Sequence, residues 1–233
     1  MPDWLSTWLD KLYETFVENG YYLQMLGGLK NTIYMTLGAL LIGVLGGALI
    51  AVIKFFAEDT RALKPLAKIC DISVTVIRGI PVVVLLLIFY FVIMEKTKEG
   101  VIVGIVTFGV NSSAYMAELI RSGINAVNVG QMEAGRSLGL SRLQTMRKII
   151  LPQAVRYILP AIGNEMIALL KETSVAGYVA VTDLTKAGSV IRNVTYDSVN
   201  TLLIVALTYL VMVVILTQLL SMAERRLAKS DKR

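Results

Sequence analysis

Four stretches of the chain are apolar and almost free of charge, and each is long enough to cross a bilayer. The first and last contain no charged residue over 23 and 26 positions, and the second contains only Arg78, near its start. A helix needs about 20 predominantly apolar residues to cross the hydrocarbon core. The pattern therefore predicts membrane spans near residues 31–53, 72–94, 100–120 and 198–223.

A further apolar segment, residues 157–181, is irregular because it contains Glu165, Lys171 and Glu172. We interpret it as the fourth of five spans. Residues 1–26 mix Trp and Tyr with acids and are predicted to form an interfacial helix, since these aromatic side chains prefer the headgroup level. The predicted fold class is all-α: a single-domain polytopic membrane protein with five transmembrane helices, an N-terminal interfacial helix and a helical loop over residues 125–152.

Composition agrees with a membrane protein and narrows its chemistry. The chain of 233 residues is 55% hydrophobic, with a mean hydropathy of +0.66, whereas soluble domains are about 45–50% apolar. It has no histidine and one cysteine, Cys70. These counts argue against a disulfide scaffold, a His/Cys metal site and the commonest general base. We predict no metal, no cofactor and no catalytic residue.

The basic residues predict the orientation. With five spans the termini lie on opposite sides, and 16 of the 23 Lys and Arg residues then fall on the side of the C-terminus. Cytoplasmic loops are enriched in Lys and Arg. We therefore expect a multi-pass protein of the bacterial cytoplasmic (inner) membrane with its N-terminus outside and its C-terminus cytoplasmic. The net charge of +6 is explained by this placement, so no nucleic-acid partner is expected.

The cytoplasmic loop at residues 125–152 contains its own folding signals. Residues 131–138 are good helix formers, and Gly139 follows them where a left-handed cap is preferred. Ser141 and Gln144 have the spacing of a capping box at the start of a second helix. The loop is predicted to be two short helices joined at a glycine corner, a shape suited to a groove on a partner. The alternative is an ordinary solvated basic loop.

The spacing within this loop resembles the signature of ABC importer permeases. The family's signature is E-A-A, three residues, G, nine residues and I-x-L-P. The loop matches it with Glu133-Ala134-Gly135, three residues, Gly139, nine residues, Ile149, one residue and Leu151-Pro152. It departs at one position, where Gly135 stands in place of the second alanine. In the family this loop is the coupling helix that docks on the ATPase. The resemblance implies these ATPase-coupling residues: Glu133, Ala134, Gly135, Ser137, Leu138, Gly139, Leu140 and Ser141.

Four other motifs resemble the polar amino acid branch of that family, whose members carry histidine, glutamine, glutamate or arginine. The resemblance extends over residues 27–225. The motifs are G-L-K-N-T at residues 28–32, R-G-I-P at 78–81, A-Y-M-A-E-L-I-R at 114–121 and K-E-T-S-V at 171–175.

The same resemblance implies partners. No G-x-x-x-x-G-K-[ST] phosphate-binding loop occurs in the chain, so ATP hydrolysis is expected on separate nucleotide-binding ATPase subunits and this chain is not expected to be an enzyme. A second copy or a related permease is expected to complete a dimer in the lipid bilayer. An extracytoplasmic amino-acid-binding protein is expected to deliver the substrate.

Polar residues inside predicted spans indicate the substrate path, because burying them in lipid is costly. Asn111, Ser112, Tyr115 and Glu118 share a helical face, as do Glu165 and Glu172. Three acids near one lysine favour a polar or cationic substrate over an acidic one. The substrate-pathway candidates are Asn111, Ser112, Tyr115, Glu165, Lys171 and Glu172.

Most of these polar residues also have a structural interpretation. Glu118 could pair with Arg121 at the cytoplasmic interface, and Lys171 with Glu172 as an internal charge pair. Asn111 and Ser112 could hydrogen-bond neighbouring helices. The alternative function is an ion-gradient-driven secondary transporter or a channel subunit, which would need no ATPase contact. A membrane enzyme is less consistent with the sequence, which offers no nucleophile–base pair.

Overall fold

The computed structural model describes residues 10–97 and 99–230, the last four of these by their backbone alone. Throughout these ranges the regular structure is helical, and they contain no strand. The helices are α1 (Glu14–Glu18, a π-helical turn), α2 (Tyr21–Asp59), α3 (Lys64–Gly79), α4 (Val82–Ile88), α5 (Gly100–Asn125), α6 (Val129–Ser137), α7 (Arg142–Thr145), α8 (Leu151–Glu172), α9 (Leu184–Thr195) and α10 (Ser198–Ser230). Two further π-helical turns extend or join helices: Phe89–Ile93 follows α4, and Met146–Ile150 connects α7 to α8.

Three of the described helices are long and apolar enough to cross a membrane: α2, α5 and α10 over Ser198–Arg226. Arg61–Gly79 and Val82–Ile93 make a fourth candidate if this bent pair is one span. The two halves meet at 108°, so the backbone bends sharply within the segment predicted as a span at residues 72–94. The cause is Pro81, which excludes helical backbone at Ile80 (φ −96°, ψ 129°).

The first span is longer than predicted. α2 begins at Tyr21 and runs without a break to Asp59, so residues 21–26 belong to it and not to a separate interfacial helix. The corner before it is Gly20, whose φ of +73° is left-handed and suits glycine. Residues 10–18 are helical. The predicted interfacial contribution of Trp4 and Trp8 lies outside the described residues.

The fourth predicted segment, residues 157–181, is helical but changes type. α8 continues through Pro160 to Glu172 without a break. A 3-10 helix, Thr173–Val179, follows. At the junction the buried Thr173 hydroxyl donates to the carbonyl of Leu170 at 2.8 Å, which satisfies one of the backbone acceptors that a helix end leaves without a partner.

The core is built around the contact of α2 with α5. A Cβ placed on Gly47 would lie 2.4 Å from the Met116 Cβ, so the two backbones approach as closely as a glycine allows. The glycines on this side of α2 therefore form a helix-packing surface. A cluster of fully buried side chains that includes Met35, Leu86 and Phe108 continues this contact. Packing through small residues is typical of helix pairs in membranes.

At the start of α2, three residues of the G-L-K-N-T motif tie this helix to the segment that precedes α9. The Thr32 hydroxyl accepts a hydrogen bond from the Leu184 amide at 3.1 Å. The Asn31 side-chain amide donates to the Thr182 carbonyl at 2.9 Å. Gly28 is part of the same joint, since a Cβ there would lie 2.6 Å from the carbonyl oxygen of Asp183. The motif therefore fixes α9 against the first span.

Candidate functional site

The loop between α5 and α8 folds as two capped helices. The Asn128 side chain accepts from the Gly130 amide at 2.8 Å and caps α6. Gly139, with φ of +82°, makes the left-handed corner. The Ser141 hydroxyl then accepts from the Gln144 amide at 3.2 Å, and the Gln144 side chain accepts from the Ser141 amide at 2.8 Å. The predicted helix, glycine corner and capping box are confirmed.

The outer face of α6 and the corner after it are open to solvent. Most of the predicted coupling residues are exposed there: Glu133, Ala134, Ser137, Leu138, Gly139 and Ser141, while Leu140 is half-buried. Leu138 is 81% exposed and Val129, at the other end of α6, is 72% exposed. Two large apolar side chains thus lie uncovered on an otherwise polar segment.

The inner side of the same segment is packed. Gly135 is buried, and a Cβ there would lie 2.5 Å from the Thr145 Cγ2, so α6 lies directly on α7. Beneath both helices, Val127, Met146 and Ile150 form one buried cluster with Ala154 and Ile158 of α8. The segment is therefore held firmly by α5 and α8 and presents its outer face as a unit.

Arg142 connects this segment to the end of α2. Its Nη1 lies 2.6 Å from Asp59 Oδ1, its Nη2 contacts Glu58 Oε2, and its guanidinium carbon lies 4.6 Å from the centre of the Phe55 ring. Burial works against the charged guanidinium, but hydrogen bonds and the fields of the two carboxylates raise the pKa of Arg142 above its usual value. Sequence reasoning missed this contact.

Four of the six substrate-pathway candidates meet where α5 packs on α8. The Ser112 hydroxyl donates to Glu165 Oε1 at 3.1 Å, and the Asn111 side-chain amide donates to Glu172 Oε2 at 3.4 Å. Both α5 residues are buried, while both carboxylates are half-buried. The two carboxylates are seven residues apart on α8, which separates them by about 10 Å along the helix axis.

The other two candidates lie apart from this cluster. Tyr115 lies under Arg78, whose guanidinium carbon is 5.1 Å from the ring centre. Lys171 is exposed and lies beyond salt-bridge distance of Glu172, although its charge still acts on that carboxylate. Glu118 pairs with Arg121 at 2.7 Å, as the structural interpretation predicted, and Arg78 approaches it at 4.0 Å. Within the described ranges, no three His, Cys, Asp or Glu side chains lie together as a metal site would require.

Comparison with known sequences decides the family. The pattern of the binding-protein-dependent transport system inner membrane component matches residues 39–229. The chain belongs to this family. Its relatives are ABC permeases, so the chain is a membrane-embedded permease, which is a transport component rather than an enzyme.

Individual relatives of this permease cover nearly all of it. The arginine transport system permease protein ArtQ of Bacillus subtilis (strain 168) is 33% identical over 210 residues, which covers 89% of this chain and 94% of that protein. The protein named "Probable glutamine ABC transporter permease protein GlnM" from the same strain is 36% identical over 199 residues, with 84% and 92% covered. A crystal structure of an amino acid ABC transporter with histidines has 39% identity and a TM-score of 0.82, with 90% and 96% covered.

Proposed function

We propose that this permease is the membrane subunit of an ATP-driven importer of polar amino acids and is moved by a separate ATPase subunit that docks on the segment around α6. The observation on which the proposal depends is the capped helix pair between α5 and α8, with Leu138 81% exposed at its corner. A firmly held helix with an uncovered apolar side chain is suited to a groove on a partner protein.

The eight coupling residues divide into two roles in this proposal. Glu133, Ala134, Ser137, Leu138, Gly139, Leu140 and Ser141 form the docking face and its corner. Gly135 does not face the partner, because it is buried against Thr145. Because Gly135 has no side chain, α6 can pack directly on α7. A movement of the docking face is therefore transmitted to α8 with little change in the packing between these helices.

The carboxylates of Glu165 and Glu172, held by Ser112 and Asn111, form the proposed substrate site. Carboxylates and neutral hydrogen-bonding groups are suited to an ammonium or guanidinium group, which favours polar and basic amino acids over acidic ones. Relatives named for arginine and glutamine transport support this class. Tyr115 and Lys171 would contact the substrate elsewhere along its path, with Lys171 available to its carboxylate.

The proposed architecture has five spans. They are α2, the bent pair of α3 and α4 with its π-helical turn, α5, α8 and α10, with the N-terminus outside and the C-terminus cytoplasmic. The membrane is the bacterial cytoplasmic (inner) membrane. One permease subunit with five spans does not enclose a substrate pathway alone, so a second copy or a related permease completes a dimer. An extracytoplasmic amino-acid-binding protein delivers the substrate.

Purification and reconstitution test the proposal. The permease should co-isolate with a nucleotide-binding subunit, and replacing the exposed Leu138 by Asp should reduce this co-isolation. The exposed Tyr196, in the turn between α9 and α10, lies outside the loop and provides a control, Tyr196→Asp, that should leave co-isolation unchanged. Proteoliposomes with the ATPase and the binding protein should take up amino acid only with ATP. Uptake that persists without ATP and stops with an uncoupler would instead establish a secondary transporter.

A further inference from the structure

Two helix ends in this protein have charges of the wrong sign for their helices. Glu58 and Asp59 are the last two residues of α2, and the last turn of that helix has no base. Arg142 is the first residue of α7. The C-terminal end of a helix disfavours carboxylates and its N-terminal end disfavours cations. Each end is therefore unfavourable by itself, and local helix stability does not explain either.

The tertiary contact between these ends explains both. One guanidinium faces the Asp59 carboxylate at 2.6 Å, contacts the Glu58 carboxylate and lies over the Phe55 ring. A planar guanidinium is suited to two acceptors and an aromatic face at once. The Arg142 side chain is only 26% exposed, although the two acids are 68% and 63% exposed. We name this contact among Arg142, Glu58 and Asp59 the Arg142 link.

The position of the Arg142 link in the chain gives it a mechanical meaning. The segment of α6 and α7 is joined by the peptide chain to α5 at one end and to α8 at the other. α2 has no such connection to it, and the chain passes through α3, α4 and α5 between Asp59 and the segment. Arg142 makes the polar contact between this segment and the end of α2. An apolar contact lies next to it, where Phe55 of α2 packs on the buried cluster beneath α7.

We propose that Arg142 is a positioning residue that makes the first span follow the coupling segment when the ATPase moves it. This inference rests on the proposed docking of an ATPase at α6. α5 and α8 receive the movement through the peptide chain, and the body of α2 follows α5 because the two helices are closely packed. The cytoplasmic end of α2 is tied to the moving segment itself by the Arg142 link. Without the link, the ATPase still binds and hydrolyses ATP, but this end of α2 follows the segment less closely, and fewer substrate molecules cross for each ATP consumed.

The test compares Arg142→Gln with Arg147→Gln. Arg147 is an exposed base in the π-helical turn after α7, so both variants remove one positive charge from the same segment. Co-isolation of the ATPase, ATP hydrolysis and uptake are measured on the reconstituted complex. For Arg142→Gln we expect unchanged co-isolation and a transport-to-hydrolysis ratio lower by about fivefold or more, the scale of ordinary coupling between sites. Arg147→Gln should keep the normal ratio.

Exchanging the charges gives a second test. The triple variant Arg142→Glu, Glu58→Arg, Asp59→Arg rebuilds the contact with opposite signs and also gives each helix end the charge that its dipole prefers. This triple variant should recover most of the normal transport-to-hydrolysis ratio. The double variant Glu58→Arg, Asp59→Arg should not, because the unchanged Arg142 then faces two further positive charges at positions 58 and 59.

The outcomes separate the inference from the function on which it rests. A normal ratio in Arg142→Gln, or an assembled triple variant that recovers nothing, overturns the inference. Loss of the ATPase from Arg142→Gln also overturns it, since Arg142 would then belong to the docking face. If the unaltered permease binds no ATPase, the proposed function itself fails.

Discussion

Gly135 lies against Thr145 so closely that a Cβ on the glycine would stand 2.5 Å from the threonine Cγ2 and 2.9 Å from its Oγ1. Thr145 is buried and branched, and its hydroxyl donates to the Ser141 carbonyl at 3.0 Å. The threonine is therefore fixed and cannot rotate away at little cost. The contact explains why glycine stands where the family pattern has alanine.

We predict that Gly135→Ala destabilises the packing of α6 on α7. Overpacking costs about 1–3 kcal/mol, which exceeds the gain of about 1 kcal/mol in helix propensity. Thermal unfolding of the purified permease measures the effect. In a Thr145→Ala background, which removes both close atoms, the same change should be neutral or stabilising. Equal destabilisation in the two backgrounds would mean that the close contact is not the cause.

Local signals in the sequence predict local structure well here, and tertiary contacts poorly. The capping box at Ser141 and the corner at Gly139 follow from residues within one turn of each other. The bend at Ile80 does not follow from hydropathy, because an apolar run has the same mean hydropathy whether its helix is straight or broken. Pro81 was the available signal, since a proline restricts the residue before it.

The candidate sites show the same division. The shared face of Asn111 and Ser112 follows from helix periodicity, but which of these residues would meet Glu165 depends on how α5 packs on α8. The Arg142 link joins residues 84 positions apart, which no periodicity can predict. One local signal was present, because Glu58 and Asp59 carry negative charge at the helix end where the dipole disfavours it. Residues that are unfavourable for their own helix are often retained because they contact another part of the fold.

The neighbouring glycines at the start of α2 give a matched pair of substitutions. A Cβ on Gly28 would lie 2.6 Å from the Asp183 carbonyl oxygen and 2.9 Å from the Ala187 Cβ, whereas a Cβ on Gly27 would meet nothing within 4 Å. We predict that Gly28→Ala lowers stability by about 1–3 kcal/mol, since backbone must move. Gly27→Ala should raise it by up to about 1 kcal/mol. Thermal unfolding of the Gly28→Ala and Gly27→Ala variants measures this difference. Equal effects would show that the close contact of Gly28 with Asp183 and Ala187 does not limit the packing.

The neighbouring serines of α5 test the proposed substrate site. Ser112 donates to Glu165, whereas Ser113 donates to the carbonyl oxygens of Gly109 and Ile42. We predict that Ser112→Ala lowers uptake by about tenfold, since leaving a buried polar group without its partner costs about 1–3 kcal/mol. Ser113→Ala should change uptake much less, with both variants fully assembled. Uptake rates at increasing amino acid concentration measure this, and equal losses would argue against the site.

The start of α10 depends on an acid whose titration should be measurable. Asp197 is buried and accepts hydrogen bonds from the Asn200 amide at 3.1 Å and from its side chain at 2.7 Å, and Lys11 lies 3.4 Å away. Burial alone would raise the pKa of Asp197. The hydrogen bonds from Asn200 and the charge of Lys11 outweigh it, so the pKa is lower than the usual value of this carboxyl.

Because the pKa of Asp197 is lower in the folded protein than in the unfolded chain, where Asp titrates near about 3.9, its ionisation stabilises the fold. This stabilisation is complete above the unfolded value and is lost as the pH falls from there through the folded value. The protection factor of the amides in the first turn of α10 is their slowing relative to the intrinsic exchange rate of an unfolded chain at the same pH. Followed from neutral pH down to about pH 3, this protection factor should therefore fall at the acid end. Asp197→Asn keeps a capping side chain but cannot ionise, so its protection factor should lack this acid-dependent component. Protection factors that fall in parallel for the two proteins would assign the acid sensitivity to other carboxyl groups.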